Sequence, residues 1–539
     1  MDVIAAARDW IAQDPDPATR TELQHLVDDE NVAALRERFS GRLEFGTAGL
    51  RGELGAGPMR MNRVTVARAA AGLADYLRRT ADEPSLVIGY DARHQSDVFA
   101  RDTAEIMQAA GVRARLLPEP LPTPVLAFAI GHLGASGGVM VTASHNPARD
   151  NGYKVYLADT SQIVPPADAE ISACIDAIGP VRDLPRDTGY EVLDPGVVEA
   201  YLDAVTAVVP PGPRDLTVAY TPMHGVGGAL LVRAAARAGF AEPRVVTAQA
   251  APDPDFPTVA FPNPEEPGAM DLVLELAAAV DADLVVASDP DADRCAVGVR
   301  GPAGHRMLTG DEVGAVLAET LLSRGVTGTY ACSIVSSDLL GRQAAAYGQP
   351  WQQTLTGFKW IGKVPGLVFG YEEALGYCVA PAIAKDKDGI SAALLAMAAA
   401  AALRAEGRTL TDLLESIYRR DGWHATGQLA VRVDDRSIIA AAMERLRSDP
   451  PETVAGLAVT AVDDLADGYR GLPPTDGIRL GLSGGSRVIC RPSGTEPKLK
   501  CYVEAVSAVA DDPAAARDAA AATVAAIIED LRALLGLQE

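Results

Sequence analysis

Cysteine is scarce and carries no pairing pattern. The six residues Cys174, Cys295, Cys332, Cys378, Cys490 and Cys501 are scattered through 539 positions without a CxxC, which excludes a disulfide framework and a cysteine metal site and reads as free buried thiols in a reducing compartment. Positive charge is also short: 48 Lys plus Arg stand against 72 Asp plus Glu, a net charge of −24. The whole-chain field therefore opposes nucleic acid and anionic membrane, and an anionic small molecule would need a local cluster of cations. Long apolar runs are missing too. The most apolar stretch, ISAALLAMAAAAAL (390–403), is mostly alanine and runs into Arg404 and Glu406; it falls short of the ~20 residues a spanning helix needs and reads as a packed soluble helix. The N-terminal MDVIAAARDWIAQDPD places Asp2, Arg8 and Asp9 where a secretory signal needs a basic start and an unbroken apolar region. The expected location is the cytoplasm.

What the chain does contain is enough apolar sequence for several cores, and at ~150 residues per domain its length suggests three to four of them. Short β-rich runs alternate with helical stretches: SLVIGYDAR (85–93), VRARLLP (112–118), GGVMVTAS (137–144), DLTVAYTP (215–222), ADLVVASDP (282–290) and GTYACSIVSS (328–337). That alternation predicts βαβ units with buried, largely parallel sheets. Ligands of such sheets bind beyond the carboxyl ends of strands, where Asp91, Ser144, His224 and Asp289 stand. Joints are expected at the Pro-rich VVPPGPR (208–214) and near SRGVTG (323–328). From about 430 the character changes: the runs ATGQLAVRV (425–433), GLAVTAVDD (456–464), IRLGLSGGSRVICRPS (478–493) and KLKCYVEAVS (498–507) predict a sheet with one exposed face, and the Ala-rich 513–535 predicts a helix. The expected domains are 1–208, 209–323, 324–424 and 425–539: three doubly wound mixed α/β units and a C-terminal α+β domain, around a central cleft.

Five stretches carry chemistry. In VMVTASHNPARDNGYKVY (139–156) an apolar run breaks at Ser144 and His145, and Lys154 follows ten residues after the serine; a nucleophile on a loop held by a rigid strand is one reading, a helix-capping serine the other. SDPDADR (288–294) sets Asp289, Asp291 and Asp293 at alternate positions. Carboxylates so close repel one another, and a hard cation with oxygen ligands, Mg²⁺ foremost, relieves that. Arg294 and Arg300 occupy the places where an EF-hand needs Gly and Glu. RPSGTEPKLK (491–500) joins a guanidinium, two hydroxyls, an unhindered glycine and Lys498, the parts of a phosphate cradle or of a polar turn. No Walker A loop is present, since Gly362-Lys363 is followed by Val364. GYEEALGY (370–377) pairs Glu372 with Glu373, suited to accept from neighbouring sugar hydroxyls, with Lys359, Lys385 and Lys387 nearby in sequence. FGTAGLRG (45–52) ends a Gly-rich turn on Arg51, an anion grip on a flexible loop or an ordinary surface arginine.

TASHNP, DPDADR and RPSGTEPK in this order resemble the α-D-phosphohexomutase family of phosphoglucomutases and phosphomannomutases, nearest its phosphoglucomutase/phosphopentomutase branch, over residues of about 40 to 505. The resemblance implies that Ser144 is carried as phosphoserine and that Asp289, Asp291 and Asp293 hold Mg²⁺ together with it. It implies that Arg51 and Lys154 assist proton transfer, and that Glu372 and Glu373 read the sugar, with Lys359 and Lys387 assigned beside them. Arg491, Ser493, Gly494 and Thr495 would grip the phosphate that is not reacting, and Arg294 would meet phosphate charge. His145 either positions the phosphoryl group or completes the turn. Many phosphoglucomutases place Ser after the two glutamates; Ala374 here leaves the hexose preference open.

The expected activity is interconversion of hexose 1-phosphate and hexose 6-phosphate, of glucose or mannose, through a phosphoserine enzyme and a hexose 1,6-bisphosphate that also serves as activator. Phosphopentomutase activity on ribose or deoxyribose phosphates is the alternative, followed by a phosphatase using Asp289 as nucleophile. The expected partner is a small-molecule phosphosugar, with no nucleic acid or membrane, on a monomer or small homo-oligomer.

Overall fold

The strand Gly137–Val141 is buried at every position, as its apolar residues require of a strand covered on both faces. It belongs to a computed structural model that describes residues 2–302, 304–433, 435–493, 498–509 and 512–536. The chain forms two compact units, Met1–Leu308 with Ala374–Glu406, and Thr309–Glu373 with Gly407–Glu539.

In the first unit a mixed sheet runs in the order Leu50–Glu53, Asp150–Leu157, Gly137–Val141, Ser85–Tyr90, Arg113–Leu116, Glu191–Val192. Its last four strands are parallel and its first two join antiparallel. The helices Ser96–Ala109 and Thr123–His132 both pack on Ser85–Tyr90, as crossover helices of a parallel sheet must. The edge strand is sterically specified: Gly49 has φ 72°, and a Cβ there would lie 1.9 Å from the Tyr153 carbonyl oxygen. Arg51 therefore sits in a strand registered against Gly152, not in the flexible loop that FGTAGLRG suggests.

A second sheet of the same unit orders Gly304–Met307, Cys295–Gly301, Leu284–Ser288, Val218–Thr221, Arg244–Val245, with the last three parallel. The helix Gly389–Ala405 packs on its strand Cys295–Gly301 and on the helix Gly228–Arg237. It is buried at nearly every position, which explains the alanine run: an all-apolar helix is a core helix. Asp388 caps it, accepting from the Ile390 and Ser391 amides at 3.0 and 3.1 Å and from the Tyr201 hydroxyl at 2.9 Å. No single helix among the described residues is long and apolar enough to cross a membrane.

In the second unit the strands Trp351–Thr354, Thr329–Ser333 and Leu367–Glu372 are parallel neighbours, flanked by the helices Gly310–Leu322 and Leu339–Ala346. The segment 323–328, expected to join two domains, links a helix to a strand inside this unit. A second, antiparallel sheet orders Trp423–Arg432, Lys498–Ser507, Arg487–Pro492, Ile478–Leu482, Leu457–Asp464, Thr453–Val454. Strand alternation sends Leu499, Cys501, Val503, Val488 and Cys490 into one core with residues of the helix Pro513–Leu535. The other face was expected to be exposed. Instead Ile489 and Tyr502 form a core with Ile334 and Val335, and Arg487 and Glu504 are each 3% exposed. Alternation in the sequence shows that the two faces differ, but the buried face carries ions and an aromatic rather than aliphatics alone, so it reads as solvent-facing.

Candidate active site

Ser144 lies in a turn three residues past the strand Gly137–Val141, in the left-handed region at φ 53°, a conformation costly for a residue with a Cβ. Two devices hold it. The Thr142 hydroxyl accepts from the Ser144 amide at 2.9 Å, and the buried Arg93 guanidinium clamps the turn's carbonyls: Nη2 donates to the oxygens of Ser144 at 2.7 Å and Asn146 at 2.5 Å, Nη1 to those of Pro147 at 2.8 Å and Asp150 at 3.2 Å. Asp91 lies 3.4 Å from Arg93 Nε and accepts from the Ser96 hydroxyl at 2.7 Å. Sequence reasoning noted Asp91 and missed Arg93; the signal was DARHQS, a carboxylate and a guanidinium two residues apart just past a buried strand.

The hydroxyl so presented meets the DPDADR turn. Ser144 Oγ donates to Asp289 Oδ2 at 3.0 Å and lies 3.2 Å from His145 Nδ1. Asp289, Asp291 and Asp293 are fully buried, and one oxygen from each falls within 4.8 Å of the others. Lys154 Nζ donates to Asp291 Oδ2 at 2.6 Å and Asp293 Oδ2 at 2.9 Å; Lys387 Nζ lies 3.2 Å from the same Asp293 oxygen. Arg294 approaches Asp293 and Asp289 at 3.9 and 4.0 Å. Thr123, which sequence reasoning also missed, donates to Asp291 Oδ2 at 2.6 Å. Arg51 Nη1 donates to Asn146 Oδ1 at 3.2 Å, at the other side of the serine turn.

Burial and mutual repulsion among the aspartates push Asp289 well above the usual carboxylate range. Burial pushes on Asp291 and Asp293 as well, but Lys154, joined by Lys387 and Arg294 at Asp293, overcomes it and leaves both below their ordinary values. Desolvation and the nearby Arg294 and Arg51 charges hold His145 neutral, well below the usual imidazole value. Asp291 Oδ1 and Asp293 Oδ1 are buried without a hydrogen-bond partner among the described residues. Orphaned carboxylate oxygens beside a third carboxylate fit an all-oxygen site for a hard divalent cation.

The sugar and phosphate candidates lie in the second unit, except Lys387 and Arg294, which belong to the first unit and stand among the aspartates. Glu372 ends its strand with Oε1 accepting from the Gly357 amide at 2.6 Å, one residue before the short helix Phe358–Ile361 that carries Lys359. Glu373 Oε2 accepts from the Ser333 and Ser336 hydroxyls, each at 3.0 Å. Burial, then the neighbouring Glu372 charge, raises the Glu373 carboxyl to about 7. Arg491 lies in the strand Arg487–Pro492 opposite Lys500, and the Ser493 amide donates to the Lys498 carbonyl at 2.8 Å. Gly494 and Thr495 lie outside the described residues.

Residues 42–182, 199–302 and 309–420 match the families described as phosphoglucomutase/phosphomannomutase, alpha/beta/alpha domains I, II and III, and residues 429–521 match its C-terminal domain. A Haemophilus influenzae protein named "Probable phosphomannomutase" is 49% identical over 455 residues, 83% of this chain and 93% of that protein. A Schizosaccharomyces pombe protein named "Probable phosphoribomutase" is 36% identical over 544 residues, covering 92% of each. Among solved structures, a phosphoglucomutase/phosphomannomutase family protein of Burkholderia thailandensis shares the fold at a TM-score of 0.69 and 20% identity, over 92% of this chain and 97% of that one.

Proposed function

This chain belongs to the phosphoglucomutase/phosphomannomutase family of phosphosugar mutases, and we propose that it interconverts hexose 1-phosphate and hexose 6-phosphate, of glucose or mannose, through phospho-Ser144 and a hexose 1,6-bisphosphate. One observation carries the reading: a serine hydroxyl held at positive φ, 3.0 Å from the first of three buried aspartates. A capping serine needs no such surroundings.

In this reading a sugar hydroxyl oxygen attacks the phosphorus of phospho-Ser144, the P–Oγ bond breaks, the sugar hydroxyl loses its proton and Ser144 Oγ regains one. His145 Nδ1, 3.2 Å from Oγ, is in reach of that proton. The bisphosphate then turns over, Ser144 Oγ attacks the other phosphorus, and the isomeric monophosphate leaves. Asp289, Asp291 and Asp293, with an oxygen of phospho-Ser144, would hold Mg²⁺, which supplies Lewis-acid neutralisation of the phosphoryl oxygens. Lys154, Arg294 and Arg51 add fixed positive charge around the serine turn. Glu372 and Glu373 would accept from sugar hydroxyls, with Lys359 nearby. Arg491 and the loop that follows it, Ser493, Gly494 and Thr495, would hold the phosphate that is not reacting.

A second reading, phosphopentomutase activity, is favoured by Ala374, which stands where many hexose enzymes place a serine, and by the relative named for ribose. The test is to incubate the protein with Mg²⁺ and a trace of the matching bisphosphate, separately with glucose 1-phosphate, mannose 1-phosphate and ribose 1-phosphate, and to follow ³¹P resonances. Conversion of a hexose phosphate supports the first reading, and conversion of ribose 1-phosphate alone replaces it with the second. Release of inorganic phosphate without isomerisation defeats both.

A further inference from the structure

The turn Ile334–Ser337, which follows the strand Thr329–Ser333, is held from two sides. On one side it meets Glu373: the hydroxyls of Ser333, the last strand residue, and of Ser336, in the turn, donate to Oε2, and Ser336 Oγ accepts from the Glu373 amide at 3.0 Å. On the other side the antiparallel sheet of the same unit reaches in. Arg487 Nη1 donates to the Ile334 carbonyl at 2.6 Å and Nη2 to the Ser336 carbonyl, while Nε donates to Glu504 Oε2 at 2.7 Å. Glu504 also accepts from the Ser337 hydroxyl at 2.5 Å, from the Asp338 amide at 3.0 Å and from His424 Nδ1 at 2.7 Å. Arg487 and Glu504 are directly paired across two strands, so the rigid ladder sets their mutual position.

We infer that Arg487 is a positioning residue for sugar recognition: anchored by Glu504, it fixes the turn whose Ser336 hydroxyl, beside that of Ser333, orients the Glu373 carboxylate. The inference rests on the reading of Glu373 as a sugar-binding group. Four features support it over a plain structural ion pair. The guanidinium forks onto the main chain of the turn that touches Glu373, with Nη2 also 3.4 Å from Asp338, the residue just after that turn. The turn lies at the carboxyl end of a parallel strand, where ligand groups of such sheets gather. Burial alone would push the Glu504 carboxyl up, but Arg487 and His424 hold it below its ordinary value, so the network holds its charges in place. Finally, Arg491 lies four residues further along the same strand and on the same face as Arg487. One strand thus sets the sugar-orienting turn at one end and carries the phosphate candidate at the other, about 13 Å apart at 3.3 Å per residue.

The test is a double-mutant cycle in the full-length protein: wild type, Arg487→Lys, Glu373→Gln and the double variant. It uses whichever of glucose 1-phosphate, mannose 1-phosphate and ribose 1-phosphate the wild type converts fastest. Lysine keeps the charge and loses the fork. If Arg487 acts through Glu373, Arg487→Lys lowers kcat/KM about tenfold alone and less than about twofold when added to Glu373→Gln, because coupled neighbours fail to add. Glu504→Gln, run through the same cycle, repeats the pattern more mildly and decides the question should Arg487→Lys not fold. Equal losses in both backgrounds, or a lower melting temperature with unchanged kcat/KM, overturn the inference and leave Arg487 a structural residue. Wild-type kcat/KM in Glu373→Gln alone overturns instead the sugar reading beneath it.

Discussion

Replacing Arg93 by lysine tests whether the serine turn is held in place by one side chain. Arg93 is 4% exposed, and each of its two Nη nitrogens serves two main-chain oxygens, those of Ser144 and Asn146 and those of Pro147 and Asp150. A lysine ammonium is one nitrogen in place of two; placed on Pro147, which also accepts from the Asp150 amide at 3.0 Å, and on Asp150, it leaves the Ser144 and Asn146 carbonyls without the donor that Arg93 gives them. An unsatisfied buried acceptor costs about 1–3 kcal/mol, and because residues 145–150 are not fully buried the low end applies, about 2–4 kcal/mol for the pair. That loss competes with strain already present, since the positive φ of Ser144 costs on the order of 1–3 kcal/mol. The turn should therefore open locally while the strand before it stays closed. In hydrogen-exchange mass spectrometry of Arg93→Lys, peptides covering 142–152 should lose protection by roughly 30- to 1,000-fold, at a factor of ten per 1.4 kcal/mol. Peptides covering 137–141 should be unchanged, and kcat should fall because the hydroxyl no longer faces the aspartates. Protection of the turn within threefold of wild type, together with an unchanged kcat, would refute the clamp.

Ser144→Ala removes the proposed phosphoryl carrier and little packing, so isomerisation should vanish while the melting temperature holds; peptide mass analysis should place phosphate on Ser144 of the active enzyme, and turnover near wild type in the variant excludes that role. Asp291→Asn removes one anionic ligand oxygen and the charge that Lys154 meets at this residue, so Mg²⁺ affinity measured by calorimetry should drop and activity should fall with it; chelation should silence the wild type reversibly, and full activity after exhaustive demetallation contradicts a catalytic metal. Arg491→Lys keeps the charge and loses the fork, so KM should rise for the 1-phosphate and the 6-phosphate alike, whereas unchanged kinetics with a lower melting temperature would make the arginine structural.

The architecture was legible because its signals are local. Alternation of apolar runs with helical stretches gave parallel strands where they occur, and the helix Pro513–Leu535 fills the Ala-rich segment read from residue 513 to 535. Individual strands proved shorter than their apolar runs, as at Val218–Thr221 within DLTVAYTP, because ladder pairing ends before the hydrophobic stretch does. Two features escaped for a shared reason. The strand containing Arg51 exists only because Asp150–Leu157 pairs with it from a distant part of the chain, and the ionic face of the C-terminal sheet is buried only because Ile334 and Val335 cover it. Neither partner leaves a trace in the local period.

The same division runs through the site. The spacing of Asp289, Asp291 and Asp293 is enough to predict a cluster, since a turn after a strand brings alternate carboxylates together whatever surrounds it. What lets the cluster exist in a fully buried place is not in that spacing: Lys154 is 137 residues from Asp291, and Lys387 comes from the far end of the same unit. Sequence proximity placed Lys387 beside the glutamates at 372 and 373, yet its ammonium lies 3.2 Å from Asp293 and 3.5 Å from Asp386, buried carboxylates that need compensating charge. Lys154, Lys387 and Arg294 face the three aspartates, and Lys387 also pairs with Asp386 at 3.5 Å, so these cations are largely engaged by carboxylates before any phosphate arrives. A phosphoserine brings about −1.5 to −2 more. A divalent cation at the orphaned oxygens of Asp291 and Asp293 would offset about that amount, which is why the phosphoserine and metal readings of this site stand or fall together.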